Sequence, residues 1–351
     1  MKLLFFGAGA IGAYIGGSLA RAGNDAAFLE RPDMVETLRR EGLFLSVEGN
    51  ELRIPVRAAF ADAASAMREF SPDLAVFALK SYDTAAAISP LRPMRGRLPP
   101  ALCLQNGVDN EPLLETVFGA GRVIAGTVTS AVGRGRVGAV TLERRRGVGI
   151  ASGHSLSPAV ADAFCRAGLN ARLYSSAPSM KWSKLLTNLV ANASSAVLGM
   201  DPGRVYSDPR LFALEREMLR ECLRVMSAAG IGVTDLPGTP VRALAFAVKH
   251  LPATLARPIL VRAVGGGRGG KMPSLFLDLK SGRGKSEVDW LNGAVVRAAE
   301  THGIPAPVNR VLSETLTRLI RGDEAWDDYR DRPGKLLDGL PVEIRIRIGA
   351  E

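Results

Sequence analysis

The sequence predicts an α/β domain with a mostly parallel sheet, followed by an all-helical domain. Three observations carry that prediction. Short, wholly apolar runs alternate with helical stretches in the first part of the chain, the pattern of strands buried on both faces of a parallel sheet. From Pro178 the texture changes to long stretches with apolar residues near 3.6-residue spacing. The length of 351 residues fits two domains of about 150 residues each.

Element by element, Lys2–Phe6 reads as a buried strand, 12–22 as a helix and 26–29 as the next strand, with a further helix closing at Gly42. The runs 74–79 and 101–104 are fully apolar and read as strands. Segments 127–132 and 137–142 read as later strands, joined by glycines and arginines that suit a hairpin. In the second part, 180–198, 210–229 and 241–264 read as helices, the last interrupted by Pro252 and Pro258. Segment 286–302 has the clearest helical stripe, with Ser286 as N-cap and Gly303 and Pro305 ending it. The boundary falls near 175–179, which gives domains of 1–176 and 177–322 and a charged extension of 323–351. In that extension Val342, Ile344, Ile346 and Ile348 alternate with polar residues, which reads as a strand. Such a strand would serve a sheet edge or self-association, which allows a homodimer.

Composition narrows the function classes. Apolar residues make up 47% and charged residues 23%, as in globular proteins. Lys plus Arg is 45 against 35 for Asp plus Glu, giving +10, with only Arg144-Arg145-Arg146 in a run. With 6% aromatics there are few platforms for stacking single strands, so nucleic acid is not the expected partner. Cys103, Cys165 and Cys222 are far apart, and His154, His250 and His302 are too scattered for a metal site, which indicates reduced thiols, no metal and a cytoplasmic location. Lys2 and the apolar residues after it resemble a signal peptide, but the glycines through 7–23 and Arg21 suit a strand and turn better. No apolar run is long enough to span a membrane.

Gly7-Ala8-Gly9-Ala10-Ile11-Gly12 follows the first strand and opens a helix. Gly7 permits the tight turn, Gly9 lets backbone approach a pyrophosphate, and Gly12 lets helix pack on strand. A helix N-terminus offers that anion free N–H groups and a positive dipole end. This context makes a Rossmann-type dinucleotide site. At the end of the second strand an acidic residue would hold the ribose hydroxyls of NAD, and a basic one the extra phosphate of NADP. The chain has both, Glu30 then Arg31. Lys80 and Asn106 follow later strands, at the carboxyl ends where open parallel sheets bind ligands.

Lys184, Asn188 and Asn192 stand at i, i+4 and i+8 in an apolar stretch, on one face of the expected helix. Polar groups so placed need partners, and a ligand is one such partner. Glu287 opens the clearest helix, where an acidic residue also suits the helix dipole.

Together these residues resemble the ketopantoate reductases (2-dehydropantoate 2-reductases). The resemblance covers nearly all of 1–320. It runs through Gly7–Gly12, Arg31, the Lys80 loop, Gln105-Asn106-Gly107, Lys184-Leu185-Leu186 with Asn188 and Asn192, Lys271-Met272-Pro273-Ser274 with Asp278, Ser286–Gly293 and His302–Pro305. It implies NADPH-dependent reduction of 2-dehydropantoate to pantoate, a step toward pantothenate and coenzyme A. By the match, Lys184 would be catalytic and Glu287 would support it or the hydroxyl. Asn188 and Asn192 would line the substrate site, and Ser274 would hold the substrate carboxylate. Lys271 would line the site as well, standing where some members have a substrate-binding asparagine. Arg31 matches the arginine for the NADPH phosphate, while Glu30 stands where the family usually has a small residue and keeps NAD in play. A reductase of another 2-oxo acid and a non-catalytic NADP-binding protein are the rival readings. Gly265 to Lys271 nearly spells a P-loop, but Met272 replaces the magnesium-binding Ser or Thr. A glycine lid over 265–270 is the expectation there.

Overall fold

Lys2–Phe6 forms an interior strand because its side chains alternate between two apolar layers. Leu3 and Phe5 pack with the Ala10–Arg21 and Ser157–Arg166 helices on one side. Leu4 and Phe6 pack with the Ala63–Phe70, Thr84–Ile88 and Asn110–Phe118 helices on the other. Phe6 stacks on Phe77 with ring centroids 4.2 Å apart, and Phe118 meets Phe77 edge-on at 5.5 Å. Burial on both faces explains why these strands are apolar throughout rather than alternating.

The structure is a computed structural model that describes residues 1–136, 138–268 and 271–349. Its main sheet has eight strands in the spatial order Ala171–Tyr174, Val148–Ala151, Val123–Val128, Ala101–Cys103, Leu74–Phe77, Lys2–Phe6, Asp25–Leu29 and Ala58–Phe60. All neighbours are parallel except Val123–Val128 with Val148–Ala151. The chain builds outward from the first strand in one direction, then returns to its other side with Leu74–Phe77. The order therefore reverses beside the first strand, the place where ligands bind in open α/β sheets. A second, four-stranded sheet runs Asn50–Ile54, Leu43–Val47, Ala139–Arg144, Ala131–Arg134.

The chain divides into two compact units, Met1–Lys181 with Asp235–Thr239, and Trp182–Thr234 with Pro240–Glu351. The second is built from helices, so the α/β-then-helical class holds. The 323–351 extension lies within that unit. There Trp326 Nε1 donates to the carbonyls of Ala196 and Val197, and the Asp331 N–H to that of Leu198.

Several elements differ from expectation, each for a physical reason. The 180–198 stretch is two helices, Ala177–Leu189 and Ala193–Leu198. Ala191 between them takes a left-handed φ of 48°, and its N–H donates to the fully buried Glu215 carboxylate at 2.7 Å. The 127–132 stretch splits at Thr129, whose N–H and hydroxyl both donate to the Gly147 carbonyl as the chain leaves one sheet for the other. The hairpin partner is Ala139–Arg144, while Val137 lies outside the described residues. The 241–264 stretch breaks at Pro252 into Val241–His250 and Ala253–Arg268, and the latter keeps Pro258 within it. The glycine cluster is therefore helical through residue 268, and 269–270 lie outside the described residues. The alternating tail is a helix, Val342–Gly349, because Ile344 and Ile348 are also four apart and both are buried while Val342 and Ile346 face outward.

Candidate active site

In the first unit the glycine loop has three distinct geometries. Gly7 adopts a φ of 98°, a left-handed conformation that favours glycine, and its N–H donates to the Leu29 carbonyl. A Cβ at Gly12 would sit 1.9 Å from the Gly7 carbonyl oxygen, so helix and loop meet backbone to backbone. A Cβ at Gly9 would meet nothing within 4 Å. Gly9 also caps the Ala10–Arg21 helix without a side-chain partner for its first N–H groups. Open space over Gly9, in front of an uncapped helix N-terminus, fits a pyrophosphate. Ala8, Ala10 and Ile11 complete the loop.

Glu30 points into this loop. One carboxylate oxygen accepts the Ala8 N–H at 2.7 Å and the other the Arg31 N–H at 3.3 Å. Arg31 caps the Pro32–Glu41 helix, and its guanidinium is exposed and pairs with Asp33 at 3.4 Å.

Lys80 and Asn106 lie beyond the carboxyl ends of the adjacent strands Leu74–Phe77 and Ala101–Cys103. A buried polar network ties their loops together. The Asn106 carbonyl accepts from Ser81 Oγ at 3.0 Å and from Asn110 Nδ2 at 2.7 Å. Gln105 Nε2 donates to Thr84 Oγ1 at 2.7 Å and to the Leu79 carbonyl at 3.2 Å.

Beneath this network lies a residue that sequence reasoning missed. Lys181 is 5% exposed, and its Nζ sits 2.7 Å from a Glu111 carboxylate oxygen. The same Nζ donates to the carbonyls of Gln105 at 2.7 Å and Gly126 at 3.3 Å. Burial works against its charge, and the Glu111 carboxylate more than offsets that, so the ammonium is held above the usual lysine range. The available signal was a lysine in an apolar helix, one turn before Lys184. Its partner could not be read, because 70 residues separate Glu111 from Lys181.

In the second unit, Lys184 and Asn188 are half-buried one turn apart on the Ala177–Leu189 helix. Asn192 is not on that helix. It lies past the break, at the N-cap of Ala193–Leu198. From there its Nδ2 donates to the Asn188 carbonyl at 2.9 Å, and its Oδ1 accepts the Leu275 N–H at 3.2 Å. That second bond joins it to the start of the Ser274–Lys280 helix, where Ser274 is half-buried. The same helix supplies Asp278, which accepts the Glu287 N–H at 3.3 Å. Glu287 is 2% exposed and is the N-cap of Val288–Thr301 rather than its first residue, while Ser286 Oγ accepts the Val288 N–H. These bonds tie the segment that carries Lys184, Asn188 and Asn192 to those that carry Ser274 and Glu287, with Asn192 and Leu275 83 residues apart in sequence. Lys271 is exposed. Glu215 was also missed; its carboxylate holds the break before Asn192 through Ala191 N–H, Ser194 Oγ and Tyr206 Oη.

Among the described residues no group of three or more His, Cys, Asp or Glu side chains could hold a metal, and no helix is long and apolar enough to cross a membrane.

Comparison with known proteins follows the same division. The profile described as "Ketopantoate reductase PanE/ApbA" matches residues 3–153, and "Ketopantoate reductase PanE/ApbA C terminal" matches 178–320. A 2-dehydropantoate 2-reductase of Halobacterium salinarum is 29% identical over 92% of this chain and 100% of its own length. That of Aquifex aeolicus is 25% identical over 93% and 98%. A PanE/ApbA family ketopantoate reductase from Ralstonia eutropha superposes with a TM-score of 0.77 at 30% identity, covering 92% of this chain and 99% of that one. The D-mandelate dehydrogenase solved with NADH and anilino(oxo)acetate shares the fold, with a TM-score of 0.74 at 18% identity.

Proposed function

Because the chain belongs to the ketopantoate reductase PanE/ApbA family, we propose that it reduces the carbonyl of a 2-oxo acid, with 2-dehydropantoate as substrate and pantoate as product. The observation that carries this reading is that the Asn192–Leu275 and Asp278–Glu287 hydrogen bonds tie the segment bearing Lys184, Asn188 and Asn192 to the segments bearing Ser274 and Glu287. A reduced nicotinamide dinucleotide, when bound at the glycine loop, supplies the hydride that adds to the carbonyl carbon. Arg31 favours NADPH for that task and Glu30 favours NADH.

The remaining chemistry falls to side chains. Negative charge grows on the carbonyl oxygen as the carbon is reduced, and a cationic donor against that oxygen lowers the barrier. Lys184 takes that role and passes its proton to the oxygen; the resulting amine is reprotonated from water. Ser274 offers a hydroxyl to the substrate carboxylate, and Asn188 a neutral donor and acceptor. Asn192 spends both ends of its amide on backbone and so fixes where Ser274 stands. Glu287 is held by Asp278 and orients the substrate hydroxyl or the lysine. Lys271, exposed and cationic, would meet the anionic substrate as it arrives.

The test is oxidation of each reduced dinucleotide with 2-dehydropantoate and a panel of branched, aromatic and unbranched 2-oxo acids. The highest kcat/KM is expected with 2-dehydropantoate. A preference for another 2-oxo acid would move the chain to a different reductase activity. Tight dinucleotide binding without turnover of any oxo acid would make it a binding protein.

A further inference from the structure

We infer that Glu30 sets the dinucleotide preference of this chain toward NADH. The inference rests on reading the glycine loop as the dinucleotide site. Parallel pairing of the first two strands puts Phe6 opposite Leu29, so the residue after Leu29 emerges beside the glycine loop. The Glu30 N–H donates to the Phe60 carbonyl at 3.0 Å, which fixes its backbone. Its carboxylate is fixed by the N–H groups of Ala8 and Arg31. The group is therefore a preorganised anion at the end of the second strand, where the adenosine ribose of a dinucleotide lies when its pyrophosphate faces the helix N-terminus.

Each carboxylate oxygen can accept more than one hydrogen bond. With one lone pair of each directed to a backbone N–H, the others remain for the two vicinal ribose hydroxyls. A 2′-phosphate carries nearly two negative charges near neutral pH, and it would stand against this fixed anion. The opposing influence is Arg31. Its guanidinium is 70% exposed and already faces Asp33, whose carboxylate lies 3.4 Å away. Screening by water and the Asp33 charge both weaken what Arg31 can offer a phosphate. Glu30 is anchored at both oxygens to backbone, whereas the Arg31 guanidinium reaches into solvent, so the carboxylate decides.

The experiment measures dissociation constants of NADH and NADPH by fluorescence titration, without oxo acid, for the unaltered chain and for Glu30→Gln and Glu30→Ala. Omitting the oxo acid separates this inference from the choice of substrate. The unaltered chain is expected to bind NADH about tenfold or more tighter than NADPH. Glu30→Gln, which keeps the shape and removes the charge, is expected to move the ratio toward NADPH by about tenfold. Glu30→Ala moves it the same way and loses NADH affinity as well. Because both dinucleotides are titrated into the same sample, the ratio does not depend on how much of a variant is folded. Equal or tighter binding of NADPH by the unaltered chain, or an unchanged ratio in Glu30→Gln, overturns the inference and leaves the reductase reading standing. Failure to bind either dinucleotide overturns both.

Discussion

Two lysines one turn apart on the Ala177–Leu189 helix have opposite surroundings. Lys181 is closed in by Glu111 and two carbonyls, while Lys184 is only half-buried. Lys184 is therefore the one that the proposed reaction uses, and Lys181 holds the loop that carries Asn106 through the Gln105 carbonyl. Lys184→Ala is expected to lower kcat by about 10²–10⁴-fold, the usual contribution of a general acid. A folded variant that loses less than about tenfold in steady-state turnover would remove Lys184 from the proton transfer. Lys181→Met has a different signature. Removing one partner of a buried pair leaves the other charge uncompensated, which costs about 3–5 kcal/mol. Urea unfolding should show that loss, and Lys181→Met combined with Glu111→Leu should recover most of it. Full stability in the single variant would show the pair to be dispensable.

At the scale of elements, legibility followed the range of the cause. Lys2–Phe6 was readable to the residue because its apolar run and the glycine after it are local. The turn and helix start at the glycine loop and the start of the 286–302 helix were readable for the same reason, whereas the Ser274 segment was legible only through the family resemblance. The break at Ala191 was not, because a left-handed alanine has no local signal and the carboxylate that holds it is 24 residues away. The tail helix was not, because residues two apart are also four apart. Glu221 is another long-range device. It is fully buried and caps the Pro307–Arg321 helix, accepting the N–H groups of Val308 at 2.8 Å and Asn309 at 2.9 Å, and Asn309 Nδ2 at 2.7 Å. Burial pushes its carboxyl up to about 7, against those donors. A carboxyl raised in the folded state stabilises the fold when protonated. Its contribution is fully present below the ordinary value of 4.5 and is lost as pH rises through about 7. Over that interval the loss is on the order of 3 kcal/mol. Urea unfolding from pH 4.5 to 8 should show this decline, and Glu221→Gln should flatten it. Parallel pH profiles for the two proteins would contradict the assignment.

For the molecule as a whole, the segment after residue 320 extends past the stretch that the family profile describes, yet it is built into the second unit. Trp326 and Asp331 donate to three successive carbonyls, those of Ala196, Val197 and Leu198, at the end of the helix that Asn192 begins. Helix ends leave such carbonyls without intrahelical partners, so these donors complete the helix. The Trp326 ring also meets Phe276 edge-on at 5.9 Å and lies under Lys280 Nζ at 4.3 Å, both on the helix that starts at Ser274. Trp326 thus grips the two helices that the Asn192–Leu275 bond joins, so disturbing it should act on substrate before cofactor. Trp326→Ala is expected to raise KM for the oxo acid by about tenfold, the effect of loosening a substrate-holding shell. Dinucleotide affinity should change by less than about twofold, since the glycine loop belongs to the other unit. Trp326→Phe keeps the ring against Phe276 and Lys280 but loses the two Nε1 bonds, and it should fall between. Steady-state KM beside dinucleotide titration reads the split. Equal weakening of both ligands would mean that the extension supports the fold in general rather than the two helices that the Asn192–Leu275 bond joins.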